Sequence, residues 1–216
     1  MNTPPTGARP DIEMAVERAL TGFAPPGLIT GCRLICTGDE RYLLPAENAS
    51  IATRGHRARA ASGAGRLVAH ELLRRLGCAN PAVPRGQQGN PIWPAGTIGS
   101  IAHDDDLAVA VAARSDAMTS VGIDIEPALP LPRELEAIVA TPQDRLGDLE
   151  AGIGSRVLFA AKEAVYKASF PLDGRVLGFE DIGVDFESGE AVTSAGRMLT
   201  VRFALSPRIL TLAYTA

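Results

Sequence analysis

Lysine is almost missing from this sequence. Of 21 basic residues only two are lysines, Lys162 and Lys167, and they sit five positions apart. Positive charge is not in excess either: the formal net charge is −4, so no overall basic field points to nucleic acid, and any anion site must be a local cluster. There is no long hydrophobic run. The longest, Leu107 to Ala113, is far too short to cross a bilayer. Met1 to Pro10 carries no apolar core of a secretory signal. Cysteine is limited to Cys32, Cys36 and Cys78, an odd number without framework spacing, which suggests reduced thiols and a cytoplasmic protein. Internal repeats and low-complexity segments are absent, and no Gly-x-Ser-x-Gly elbow exists for a hydrolase nucleophile. What remains is an ordinary globular composition of 216 residues, 46% hydrophobic and 21% charged, long enough for a sizeable core or two halves of about 100 residues each.

The most informative stretch is Val121-Gly-Ile-Asp-Ile-Glu126. In a strand, residues two apart share a face, so Val121, Ile123 and Ile125 form an apolar face while Asp124 and Glu126 lie side by side on the other. Two close carboxylates repel unless a cation separates them, and paired carboxylate oxygens suit Mg²⁺. Acids at a strand end that simply face water are equally compatible with the hexapeptide alone. The second informative stretch is a helix over residues 155–169. Val157, Leu158, Ala161, Val165 and Ala168 form an apolar stripe, and Lys162, Glu163, Tyr166 and Lys167 are expected on the opposite side. Glu163 and Lys167 have the spacing of a surface ion pair. Yet the only two lysines of the chain flank one glutamate here, which favours chemistry: an acid for a metal, with compact ammonium groups for phosphate charge.

The remaining pattern alternates helices and strands. A loose tail is expected over 1–10, then a helix over 11–20, a strand over 28–36 and a helical region opening at Pro45. A long helix is expected from Arg57 to Leu76, with Arg54, Arg57, Arg59 and Arg66 as a possible phosphate cradle or a solvated face. Gly63-Ala64-Gly65 lies in mid-helix with no strand before it, which rules out a dinucleotide fingerprint. Residues 79–97 form a long Pro- and Gly-rich loop carrying Trp93, of the kind that usually serves function. Strands follow over 97–102, 107–113 and 120–126. Pro127 to Pro132 reads as a linker, giving an N-terminal half over 1–126 and a C-terminal half over 127–216. Short helices are expected over 133–139 and 142–149, and strands over 182–186, 199–205 and 209–214.

Gly99-Ser-Ile-Ala-His103, Val121-Gly-Ile-Asp-Ile-Glu126 and Phe159-Ala-Ala-Lys-Glu-Ala-Val-Tyr-Lys167 resemble, in order and spacing, the 4′-phosphopantetheinyl transferases of the larger single-chain kind, which includes the enterobactin-synthetase component D subgroup. The resemblance covers roughly residues 50–186. It implies an α+β fold of two similar halves related by a pseudo-twofold, with coenzyme A and Mg²⁺ (or Mn²⁺) in the cleft between them. It also implies transfer of the phosphopantetheine arm to a serine of an acyl or peptidyl carrier protein, an acidic helical partner, by a monomeric enzyme of secondary-metabolite or siderophore biosynthesis. On this basis Asp124, Glu126 and Glu163 fall on metal-ligand positions, with Glu163 the candidate for taking the serine proton. Lys162 and Lys167 fall on pyrophosphate-binding positions. Ser100, His103, Arg57, Arg59 and Arg66 fall where the coenzyme is contacted. The sequence departs from the pattern at Asp104, at Asn90 where a basic residue would help bind phosphate, and at Thr141-Pro-Gln-Asp144. A catalytically degenerate binder of coenzyme A or carrier protein is the alternative. A hydrolase built on Ser100, His103 and Asp104 is disfavoured, since these residues are too close along one strand and turn.

Overall fold

The computed structural model describes residues 9–215. The tail expected over 1–10 lies outside the described residues up to residue 8, and the chain is already helical from Arg9. Helix α1 (Arg9–Phe23) leads into strand β1 (Ile29–Leu34), a 3-10 turn over Asp39–Tyr42, helix α2 (Pro45–Ser50) and helix α3 (His56–Arg75). Strands β2 (Thr97–His103), β3 (Leu107–Arg114) and β4 (Ser120–Glu126) follow, then helices α4 (Arg133–Val139) and α5 (Ala151–Asp173). The chain ends in strands β5 (Ile182–Asp185), β6 (Glu190–Thr193), β7 (Met198–Ala204) and β8 (Ile209–Thr215). The fold is α+β, as the sequence implies, and built on two antiparallel sheets.

The first sheet has the order β1-β3-β2 and the second β4-β8-β7-β6-β5. Strand β3 shows why the layers form. Leu107, Val109, Val111 and Ala113 face one side and pack with Val121, Ile123 and Ile125 of β4, Leu210 and Leu212 of β8, and Val16 and Leu20 of α1. The alternate positions Ala110 and Ala112 face α3 and meet Val68, Ala69, Leu72 and Leu73. Small residues on that side let the helix approach closely. Helix α5 covers the second sheet in the same way, with Leu158, Ala161, Ala164, Val165 and Ala168 against Val184, Val201 and Ala213. The two sheets thus share one apolar layer, and each carries a long helix on its other face.

Glycine settles two of these contacts. A Cβ at Gly63 would lie 2.1 Å from the carbonyl oxygen of Asp39, so mid-helix Gly63 admits the 3-10 turn against α3. A Cβ at Gly122 would lie 1.9 Å from the carbonyl oxygen of Ala164. Gly122 therefore lets α5 lie directly on β4, on the face that also carries Asp124 and Glu126.

Strand β4 pairs with β8, from Ser120↔Thr215 to Glu126↔Ile209, so it belongs to the C-terminal sheet. It does so although it precedes the Pro127 to Pro132 linker, because strand β8 offers β4 a full ladder of partners. Residues 142–149 do not form a helix. Arg145 instead bridges to Asp185, and Gly147 takes a left-handed φ of 58° that ends any helical run. Strand β6 lies in the stretch after residue 176 read only as alternating turns and strands. Its outer positions Glu190 and Val192 are exposed, and four residues leave little periodicity to detect.

Candidate active site

A cleft of about 1050 Å³ opens between the halves. The N-terminal half contributes Arg57 and the turn His103–Asp106 to its walls. The C-terminal half contributes Glu126 to Leu129, Arg156 and Arg208. The acids of the β2–β3 turn are held by the opposite half. Arg208 Nε donates to Asp104 Oδ2 at 2.8 Å and Nη2 reaches Asp106 Oδ2 at 3.4 Å. Asp104 Oδ1 meanwhile accepts the backbone N–H groups of Asp106 and Leu107. The acidic run beside His103 is therefore partly neutralised, and it ties the two halves together across the cleft.

The acids of β4 sit beside α5. Lys167 Nζ donates to Asp124 Oδ1 at 2.6 Å and to the Ile123 carbonyl at 3.2 Å. Arg156 Nη1 donates to Glu126 Oε2 at 2.7 Å, and the same guanidinium is tethered by the carbonyls of Leu129 and Pro130. Asp124 is buried, and its second oxygen, Oδ2, has no hydrogen-bond partner. Burial raises the Asp124 carboxyl above its usual range despite the opposing pull of Lys167. Glu126 is raised by burial and then by the Asp124 charge, against Arg156. Burial also raises Glu163; Lys167 opposes this and Asp124 adds to it. Three neighbouring carboxyls are thus pushed toward their neutral forms, first of all by burial.

The donor set fits a hard divalent ion. The orphaned Asp124 Oδ2 and the carboxylates of Glu126 and Glu163 are oxygen ligands of the kind Mg²⁺ takes. Among the described residues, however, no three acidic, histidine or cysteine side chains converge as they stand into a ready metal cage. Lys167 and Arg156 hold two of the three acids instead.

A second, smaller hollow of about 130 Å³ adjoins the cleft through His103 and Ala61. Arg54, Arg66 and Arg85 line it. Burial lowers the Arg66 pKa; Glu47 opposes this, and the Arg54 and Arg85 charges add to it. Three arginines lining so small a space make it a candidate anion site.

The family model described as 4'-phosphopantetheinyl transferase N-terminal domain matches residues 46–113. The model of the 4'-phosphopantetheinyl transferase superfamily matches residues 120–208. The two matches meet in the turn between β3 and β4. The chain is 37% identical over 155 residues to 4'-phosphopantetheinyl transferase Npt of Nocardia iowensis, an alignment spanning 70% of each chain. The chain belongs to the 4′-phosphopantetheinyl transferase superfamily.

Two other relatives are matched over shorter spans. Transferase PptT of Mycobacterium tuberculosis is 41% identical over 128 residues, 57% of this chain and 56% of the relative. Enterobactin synthase component D of Escherichia coli is 39% identical over 114 residues, 49% of this chain and 52% of the relative. The chain thus spans only about half the length of these two. No helix among the described residues is long and apolar enough to cross a membrane.

Within the phosphopantetheinyl transferase frame, the structure brings Asp124, Glu126, Glu163 and Lys167 together between β4 and α5, puts His103 on the walls of both cavities and puts Arg66 on the smaller one. Three expected coenzyme contacts are placed elsewhere. Lys162 is 0% exposed and points into the C-terminal core. Its ammonium donates to the carbonyls of Val139 and Phe179 and to Asp144 Oδ2, at 2.9, 3.0 and 2.7 Å. All three N–H groups are used, so none remains for a phosphate. Ser100 is buried, and its Oγ accepts the Ile123 N–H at 3.1 Å, linking β2 to β4. Arg59 lines neither cavity; it donates to Asn48 Oδ1. Arg57 does reach the cleft wall, paired there with exposed Asp105. Arg156, Arg208 and Arg85 are cationic residues the sequence did not single out, and Arg85 alone of them lines the smaller hollow. Its signal was faint: one arginine in the loop over 79–97, five residues before Asn90.

Proposed function

We propose that this protein transfers the 4′-phosphopantetheine arm of coenzyme A to a serine of an apo carrier protein and releases adenosine 3′,5′-bisphosphate. The observation that carries the reading is the acid cluster on β4 and α5, with its unpaired buried Asp124 oxygen, beside a cleft that shares His103 with an arginine-lined hollow.

In this reading Asp124, Glu126 and Glu163 hold Mg²⁺. When bound, the ion supplies Lewis-acid neutralisation of pyrophosphate charge. The carrier serine oxygen attacks the β-phosphorus, the bridging P–O bond to the α-phosphate breaks, and the bond's electron pair leaves with the nucleotide. Lys167 keeps its ammonium fixed on Asp124 while offering charge to the oxygens that develop it. Glu163, beside Asp124 and Lys167, takes the serine proton. Arg54, Arg66, Arg85 and His103 fix the coenzyme by its phosphates.

Calorimetric titration tests the binding half of this reading. Coenzyme A should bind one to one in the presence of Mg²⁺, adenosine 3′,5′-bisphosphate should compete, and chelation should weaken binding. Absence of coenzyme binding under all conditions would refute it.

A further inference from the structure

Three ionisable side chains of the N-terminal half are buried away from the cleft and joined to one another by a single loop. Glu47 on α2 is 0% exposed, His70 on α3 is 2% exposed, and Arg66, one turn before His70, is 7% exposed. Isolated buried charges are costly, so such a group must be held by others or serve them.

Glu47 is fully committed. Its Oε1 accepts from His70 Nε2 and from the Val83 N–H, each at 2.7 Å. Its Oε2 accepts the Leu44 N–H at 2.8 Å, closing the first turn of α2. Burial alone would push this carboxyl up, but the bonds from His70, Val83 and Leu44 outweigh it and hold it below its ordinary range. The Val83 peptide then passes the constraint on. Its carbonyl accepts from Arg66 Nε at 2.9 Å, while Arg66 Nη1 reaches the Ser62 carbonyl at 3.4 Å. These bonds fix the direction in which the guanidinium enters the anion hollow. Two residues along, the Arg85 N–H donates to Ser50 Oγ at 3.0 Å, and Ser50 Oγ donates to the Glu47 carbonyl. The short helix α2 therefore pins both arginine-bearing segments.

Glu47 also acts electrostatically. Arg54 and Arg85 each disfavour the charged form of Arg66, and Glu47 is the acid that favours it. Three arginines around a space of about 130 Å³ repel one another until an anion arrives. A buried carboxylate behind Arg66 keeps the cluster charged and assembled beforehand, which lowers the cost of ordering it when the ligand binds.

We propose that Glu47, oriented by His70, is the positioning residue for the coenzyme-phosphate site: through Val83 it aims Arg66, and by its charge it holds the arginine cluster ready for a phosphomonoester. This rests on the coenzyme A reading above. A small, dianionic group matches three guanidiniums in so small a hollow, whereas a pyrophosphate diester is larger and carries one charge per phosphorus.

The test compares the full-length protein with Glu47→Gln, which keeps the side-chain shape and the Oε1 acceptor but removes the charge. Coenzyme A and 3′-dephospho-coenzyme A are titrated at a temperature well below both melting transitions. The proposal expects coenzyme A affinity to fall about tenfold, the loss of one charge-assisted interaction, while dephospho-coenzyme A changes by less than about twofold. An unchanged coenzyme A affinity, with only a lower melting temperature, would make the network purely structural and overturn the proposal. Equal losses on both ligands would also overturn it, since they would reflect general loosening of the cleft. Should Glu47→Gln fail to fold, His70→Leu, which removes the donor that orients Glu47, is measured in the same way. It is expected to show the same selective loss, and no loss would overturn the proposal. If the wild-type protein binds no coenzyme A, the functional reading fails separately. Titration with inorganic phosphate, weakened or not in Glu47→Gln, then decides the positioning role by itself.

Discussion

Replacing Asp124 with asparagine is expected to cut phosphopantetheine transfer about a thousandfold, comparable to losing a principal charge-stabilising group, while leaving the fold intact. Asparagine keeps the shape and an oxygen to accept from Lys167 at the Oδ1 position. It removes the charge from a residue whose Oδ2 is buried without a partner. A carboxyl whose folded pKa lies above its unfolded value costs stability wherever it is ionised, because the folded state then binds the proton more tightly than the unfolded chain. Asp124 is shifted in that direction. At neutral pH the variant should therefore melt no lower than the parent, and steady-state transfer assays beside thermal melts would check both halves. Near-normal turnover would remove Asp124 from the chemistry. A large drop in melting temperature would mean the carboxylate is structural.

The second large effect runs the opposite way, into stability. Lys162→Met should destabilise the protein by about 3–5 kcal/mol, the usual cost of removing one partner from a buried ion pair. Asp144 is the reason. Its side chain is 3% exposed. Besides Lys162 it accepts from the Thr141 N–H, the Thr141 hydroxyl and the Val184 N–H. This one carboxylate joins the end of α4, the turn over 142–149 and strand β5. Burial lowers the Lys162 pKa while Asp144 opposes that shift, as expected of an ammonium held by its partner inside a core. Denaturant unfolding would measure the loss, and coenzyme A affinity of the folded variant should change little. A stable Lys162→Met protein with weak coenzyme binding would restore the phosphate role that the sequence suggested.

Lys162 also shows where sequence reasoning reaches its limit. The alternation in Val121–Glu126 fixes which side chains share a face, because strand periodicity is a local property, and the structure has Asp124 and Glu126 together beside α5. The pairing of Glu163 with the β4 acids could be inferred from motif order alone. Lys162 could not be placed that way. A lysine next to a glutamate on a helix is ordinarily exposed, and its partner Asp144 lies 18 residues earlier in a segment whose composition suggested a helix. The arginine cluster was half legible. Arg54 and Arg66 share a basic stretch, but Arg85 comes from a loop whose path depends on Glu47, 36 residues before the Val83 it binds. The sheet that β4 joins was hidden for a similar reason: a proline linker is visible in sequence, whereas the pairing of β4 with β8 is a contact between segments some ninety residues apart. Asp104 appeared as a departure from the family pattern; its compensating partner, Arg208, lies 104 residues later.

The most direct test of the proposed reaction is the intact mass of apo carrier proteins incubated with this protein, coenzyme A and Mg²⁺. The account predicts a gain of one phosphopantetheine on the carrier serine, abolished by chelation and by Asp124→Asn. An unmodified mass across fatty-acid, polyketide and peptide carriers, from protein that is folded and binds coenzyme A, would contradict it.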